Sequence, residues 1–282
     1  MREFAIDQVH LDGIDRKVEK PGIVSSRKDI VGWLTTTLLC LIILMSGAAI
    51  GIQVADLQNQ GQRATLSLGE VPPPSDAPLF MVQSAPEARY LRGAVGIIYD
   101  GKDWQLQKAK GEGLDLDIRS NEGTLPLQPT AQGQTYASFD RDVLNSAMII
   151  NDGQYLSLPD NVSDRVKELS MEITQGYETP YEKARAIEVF LKLNYSYELG
   201  FSPAPSNWEP NDWFLFESKE GICGNFSSAF VILARASDIP SRLAAGYFVK
   251  SGEGEQVVYE RQAHAWAEVG FEELGWITFD AT

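Results

Sequence analysis

Residues 221–240, GICGNFSSAFVILARASDIP, constrain the fold more than any other stretch of the chain. Phe226, Phe230, Leu233 and Ala234 recur at helical spacing, Gly221 and Gly224 flank Cys223, and Pro240 ends the run. The pattern predicts a buried helix with a thiol at its N-terminus, so the remaining elements have to wall that helix in. The partial positive charge of a helix N-terminus stabilises thiolate over thiol.

Most free cysteines are inert small hydrophobes, but the residue count points elsewhere. The chain has 2 Cys and 2 His, and Cys40 and His10 lie within or before an apolar N-terminal run. Cys223 and His264 therefore remain as the single thiol and single imidazole of the rest, the two groups a thiol nucleophile and its base require. Two cysteines so placed cannot form a disulfide framework, so burial must hold the core together.

The 282 residues divide by composition. Residues 1–29 form a polar tail with six basic and six acidic side chains. Residues 30–52, IVGWLTTTLLCLIILMSGAAIGI, are free of charge and long enough to span a hydrocarbon core of about 30 Å as one transmembrane helix. The run is too long, and its polar lead too extended, for a cleaved signal peptide. Basic residues precede it, which places the N-terminus in the cytoplasm and the rest outside the membrane. The full formal charge of −15 then falls on the part after the tail. That charge excludes nucleic acid as a partner and leaves a cationic or lysine-bearing partner as a possibility.

Residues 53–78 read as a polar, proline-rich linker ending in VPPPSDAP. From 79 to 158 the signals are strand-like. Leu91, Val95, Ile97 and Tyr99 alternate, Asp100-Gly101 marks a tight turn, and Leu114, Leu116 and Ile118 alternate again, which predicts a small, mostly β domain without a catalytic constellation. From residue 159 the pattern becomes helical. Val162, Val166, Leu169 and Ile173 share a face before Gly176, and Thr179-Pro180-Tyr181-Glu182 reads as a capping box opening a second helix. The loop FSPAPSNWEPNDW is long enough to wall one side of a cleft.

After the cysteine helix come three strand candidates: RLAAGYFVK, residues 257–269 with HAWAEV, and WITFDAT. Helices followed by an antiparallel sheet make an α+β domain over 159–282. His264, Trp266 and Glu268 alternate onto one face, as do Trp276, Thr278 and Asp280. Paired strands would bring His264 and Asp280 together on the face that the cysteine helix covers. Cys223 would then attack an acyl carbon, His264 would carry the proton, and Asp280 would fix the imidazole.

GICGNFSSAFVILARASDIPSRLAAGY, HAWAEV and WITFDAT, taken together, resemble the transglutaminase-like domain family, whose papain-like fold carries Cys, His and Asp in that chain order. The β region is similar to the extracytoplasmic part of membrane-anchored prokaryotic members. Those relatives usually have several membrane helices before the domain, where one is expected here, and commonly a proline after the aspartate, where Ala281 stands. The resemblance implies a catalytic triad of Cys223, His264 and Asp280. The backbone N–H of Cys223 is the natural first oxyanion donor, with Trp213, Trp208 and Asn225 as candidates for the second. No cofactor or metal motif appears. The substrate implied is a peptide or protein amide. Acyl transfer to an amine and hydrolysis differ only in what meets the thioester, so both readings stand. The third is an inactive binding module in a membrane complex, against which the intact Cys223, His264 and Asp280 count.

Overall fold

The computed structural model describes residues 64–69, 75–83, 85, 87–110, 119–120 and 128–282. The expected tail (1–29), apolar span (30–52) and most of the linker (53–78) lie outside them. Among the described residues no helix is long and apolar enough to cross a membrane.

The strands are β1 (Ala64–Ser67), β2 (Pro78–Gln83), β3 (Arg89–Tyr99), β4 (Asp103–Lys108), β5 (Arg119–Ser120), β6 (Ala131–Thr135), β7 (Ser196–Tyr197) and β8 (Glu220–Gly221). They continue as β9 (Ser241–Val249), β10 (Glu255–Tyr259), β11 (Ala263–Phe271) and β12 (Gly275–Phe279). The helices are α1 (Arg141–Ser146), α2 (Asp164–Thr174), α3 (Pro180–Asn194) and α4 (Cys223–Ala236). A π-helical turn, Trp213–Ser218, precedes β8.

The main sheet runs β1-β4-β3-β6-β12-β11-β9, and β3 also pairs with β9. That extra pairing closes β3, β6, β12, β11 and β9 into a five-stranded barrel. All contacts around the ring are antiparallel except β6–β12, which is parallel. A register shift in β3 between Arg92 and Ala94 lies on the closing seam with β9 and bends the strand there; a second, between Gly96 and Ile98, lies on the side of β4.

Closure corrects the expected domain boundary at 158/159. β3, β4 and β6 come from the stretch expected to be a separate β domain, yet they complete the same sheet as β9, β11 and β12. All described residues fall in one compact unit, Ala49–Thr282. The linker is corrected as well: Ala64, Leu66 and Leu68 alternate inward, and β1 pairs with β4, Leu66 lying opposite Trp104. The single strand expected over 257–269 is instead β10, a 3-10 turn (Glu260–Gln262) and β11. β10 belongs to a small sheet with β2 and β5. The expected Asp100-Gly101 turn is present: the Asp100 carboxylate accepts from the backbone N–H of Lys102 and Asp103, and Gly101 adopts φ 93°. The alternation expected at Leu114, Leu116 and Ile118 lies outside the described residues.

Alternation gives the barrel wall two faces. Ala265, Ala267, Val269, Ile277 and Phe279 point outward into the main apolar core, where α4 packs on β11 and β9. Phe230 of α4 stacks on Phe279 with ring centroids 5.5 Å apart. Phe226, Ala229, Phe230, Ile232 and Leu233 are all buried, so α4 is enclosed on every side, each large side chain contributing about 1.5–3 kcal/mol. Its few polar groups are paired. Ser228 Oγ accepts from Trp104 Nε1 at 2.8 Å, and the buried Arg235 donates to the carbonyls of Ser157, Ile97 and Ser241.

α2 and α3 pack against α4 in turn. Thr179 Oγ1 caps α3 by accepting from the Glu182 N–H at 3.2 Å, with Pro180 in the first turn. The Glu182 carboxylate lies 3.5 Å from Arg141, which takes the place of the reciprocal half of the expected capping box. Gly176 follows α2 with φ 84°, the conformation that ends a helix.

Candidate active site

α4 begins at Cys223, whose side chain is partly exposed. Asn225 organises this helix start. Its Oδ1 accepts from the backbone N–H of Ile222 at 3.1 Å, and its Nδ2 donates to the carbonyl of Leu68 at 3.0 Å, tying the chain after β1 to the thiol's own turn. Asn225 is buried and engaged at both ends, so it is a helix cap and not an oxyanion donor.

His264 Nε2 lies 2.8 Å from Asp280 Oδ2, with about 15% of each side chain exposed. Nε2 faces the carboxylate, and the other side of the imidazole is left for Cys223, whose ionisation His264 and the Ala265 N–H favour. His264 and Asp280 meet as expected, but not on the face that α4 covers. They belong to the inward-facing set of the barrel, with Trp266 and Thr278, and sit near its end, where the start of α4 brings the thiol to them. Because the sheet closes, the thiol meets the imidazole at a barrel mouth and not across a flat sheet.

The residues around the imidazole fix its plane. Trp266 stacks on it at 6.2 Å, and Phe248 and Tyr90 tilt against it at 5.9 and 6.3 Å. Tyr90 Oη donates to Asp280 Oδ2 at 2.9 Å, while Thr282 donates to Oδ1 through its N–H (3.1 Å) and Oγ1 (2.8 Å). The last strand is therefore pinned at the carboxylate. The apolar alternation of β3 gives no sign of Tyr90, because Tyr90 and Arg92 alternate on the other face, the barrel interior.

Below this layer the barrel holds a buried charge cluster. Glu268 is fully buried; it accepts from Arg92 Nη1 and Trp266 Nε1 at one oxygen and from Arg242 Nε at the other. Arg242 also lies 3.9 Å from the centre of the Trp276 ring.

The electrostatics favour a thiolate–imidazolium pair. Burial pushes the Cys223 thiol up, but the hydrogen bond and charge of His264 and the Ala265 N–H outweigh it, and the net shift is down. For His264, burial works against the cation, yet hydrogen bonds to Asp280 and Cys223 push its pKa up to about 10. Asp280 is destabilised by burial, and the His264 and Thr282 hydrogen bonds hold it at about 2. An ionised thiol beside a protonated, oriented imidazole can attack an electrophilic carbon and hand a proton to a leaving group. Among the described residues no three His, Cys, Asp or Glu side chains are grouped to hold a metal ion.

The tryptophans expected as oxyanion donors are placed otherwise. Trp213 Nε1 donates to the carbonyl of Ser202 at 3.1 Å, which closes the 201–213 loop on itself. Trp208 packs edge-on against Trp213, with the Arg165 guanidinium 5.6 Å from its ring centre.

Residues 167–281 match the family model described as the transglutaminase-like superfamily. An uncharacterized protein of Bacillus subtilis, YebA, is 40% identical over 138 residues, which is 46% of this chain and 19% of that protein. A protein-glutamine gamma-glutamyltransferase of Pseudomonas aeruginosa is 31% identical over 133 residues, 45% of this chain and 19% of that protein. The chain thus spans about a fifth of the length of these curated relatives. The crystal structure of the periplasmic domain of TgpA from Pseudomonas aeruginosa superposes with a TM-score of 0.54 at 20% identity, covering 79% of this chain and 94% of that one. Helix, barrel and family match agree: residues 167–281 carry the match to the transglutaminase-like superfamily, within a unit that has the papain-like α+β fold.

Proposed function

We propose that this chain is a thiol acyl-transfer enzyme in which Cys223 is the nucleophile, His264 the acid and base, and Asp280 the group that orients and charges the imidazole. The observation that carries this reading is the 2.8 Å contact of His264 with Asp280, next to a thiol that stands on the first turn of a helix and whose ionisation His264 favours. The thiolate attacks an amide carbonyl carbon, and the C=O electron pair moves onto oxygen. As the tetrahedral adduct collapses, the C–N bond breaks and the leaving amine takes the proton held on His264 Nδ1. An amine or water then gives a proton to His264, attacks the thioester and releases the thiolate.

The acceptor favoured is an amine, because the 31%-identical Pseudomonas relative is named a glutamyltransferase. The formal charge of −15 also suits a lysine-bearing partner. Residues 30–52 are proposed to anchor the chain, with the catalytic domain outside the membrane. The test incubates the protein with a glutamine-containing peptide and a primary-amine probe and reads product masses. Acyl transfer predicts a peptide–amine conjugate with ammonia released, absent in Cys223→Ala. Peptide cleaved or deamidated with no conjugate would assign hydrolysis instead, and no Cys223-dependent product would reject the enzyme reading.

A further inference from the structure

We infer that the hydroxyl of Tyr197 is the second donor of the oxyanion site, acting beside the backbone N–H of Cys223; this rests on the acyl-transfer reading above. Tyr197 ends the two-residue strand β7, which runs parallel to β8 with Tyr197 beside Gly221. Ser196 N–H donates to the Lys219 carbonyl and Glu198 N–H to the Gly221 carbonyl, each at 2.9 Å, so the backbone on both sides of Tyr197 is fixed to the segment that leads into the nucleophile. The Tyr197 ring stacks on Phe226, three residues into α4, with centroids 6.2 Å apart and planes 27° from parallel. This packing carries the hydroxyl to the first turn of α4, near enough to Cys223 for the thiol's charge to raise the phenol's pKa.

A phenol at this turn stands beside the volume in which an acyl oxygen must sit once its carbon is bonded to sulfur. The arriving acyl oxygen takes the N–H of Cys223, and the phenol donates to the same oxygen across an O–H···O distance of about 2.7 Å. Its proton then points at the oxyanion. No bond to Tyr197 forms or breaks, and its proton stays on the phenol throughout. Tyr197 is 51% exposed, so the ring can settle into this contact without opening a void in the core. Burial of the hydroxyl and the neighbouring negative charge on Cys223 push its pKa up to about 12, so it remains a donor wherever the enzyme works. Of the other candidates, Trp213 Nε1 is bonded to Ser202, Asn225 is bonded at both ends, and Trp208 packs edge-on against Trp213.

Two reactions of the same thiol separate this role from others. Alkylation by iodoacetamide forms a C–S bond and expels iodide with no oxyanion, whereas acylation by a p-nitrophenyl ester passes through one and releases p-nitrophenolate. Both are followed on the full chain for wild type, Tyr197→Phe and Cys223→Ala, each at the pH plateau of its rate. The inference predicts that Tyr197→Phe slows acylation by about 10²–10³-fold while alkylation stays within about threefold of wild type. An equal fall in both would make Tyr197 a support for the thiol only, and a rise in both would make it a plug; either overturns the inference. Wild-type rates no higher than those of Cys223→Ala would instead overturn the acyl-transfer reading, and this inference with it.

Discussion

Glu268→Gln should damage the fold far more than an isosteric change of one side chain suggests. The Glu268 carboxylate is fully buried and stands between Arg92 and Arg242, whose side chains are 11% and 10% exposed. The amide keeps the shape but removes the only negative charge between two guanidinium groups and turns one accepting oxygen into a donor aimed at donors. Breaking a buried pair in this way costs about 3–5 kcal/mol, because the remaining charges stay desolvated and unpaired. At about 2–4 °C per kcal/mol for a unit of this size, the melting temperature should fall by about 6–20 °C. The assay is urea and thermal unfolding followed by circular dichroism, with the triple variant Glu268→Leu, Arg92→Met, Arg242→Met as partner. That variant removes the charges together, so it should recover most of the loss. A drop below about 1 kcal/mol for Glu268→Gln, or a triple variant as weak as the single one, would refute the claim that unpaired charge in the barrel sets the cost.

The remaining predictions concern closure, the helix start and the triad. Gly246→Ala places a Cβ 1.9 Å from the Leu91 carbonyl oxygen at the β9–β3 seam, so it should cost about 3 kcal/mol or more, whereas Gly153→Ala, which meets open space, should lie within about 0.5 kcal/mol of wild type in the same urea titration. Asn225→Ala leaves the Ile222 N–H and Leu68 carbonyl without their partner and should destabilise the protein by about 1–3 kcal/mol, with Cys223 alkylation slowed as the first turn loosens. Asp280→Asn removes the charge that helps lift His264. The alkaline limb of the pH–rate profile, set in wild type by imidazolium losing its proton near pH 10, should therefore move down toward the ordinary imidazole value. The sign for stability is the same. A raised His264 pKa contributes fully below the unfolded value and is lost as pH rises through about 10, so the wild-type advantage over Asp280→Asn should shrink across that window.

Local signals carried much of the fold into the sequence. The α4 pattern, the Thr179-Pro180 helix start, the Asp100-Gly101 turn and the alternation in β9 and β12 each follow from neighbours a few residues apart. What escaped depends on long-range pairing. Leu91 in β3 meets Tyr247 in β9, and no local periodicity announces that two strands so far apart in the chain will close a barrel. Without that closure the β3–β6 region reads as a separate domain and the polar alternation of Tyr90 and Arg92 as a solvent face. Cys223 and His264 were legible because single thiols and imidazoles are scarce in this chain, and Asp280 because strand alternation and the family resemblance both set it beside His264. Tyr197 was not, because a two-residue strand has no period to read.

The central claim is that His264 activates Cys223, and the most direct test is the pH dependence of iodoacetamide labelling at Cys223 in wild type and His264→Ala, read by mass spectrometry of the labelled peptide. The account predicts a wild-type midpoint below the ordinary thiol value of about 8.5, moving up in the variant, because the imidazolium hydrogen bond and charge are what overcome burial of the thiol. A midpoint at the ordinary thiol value in both proteins would contradict it.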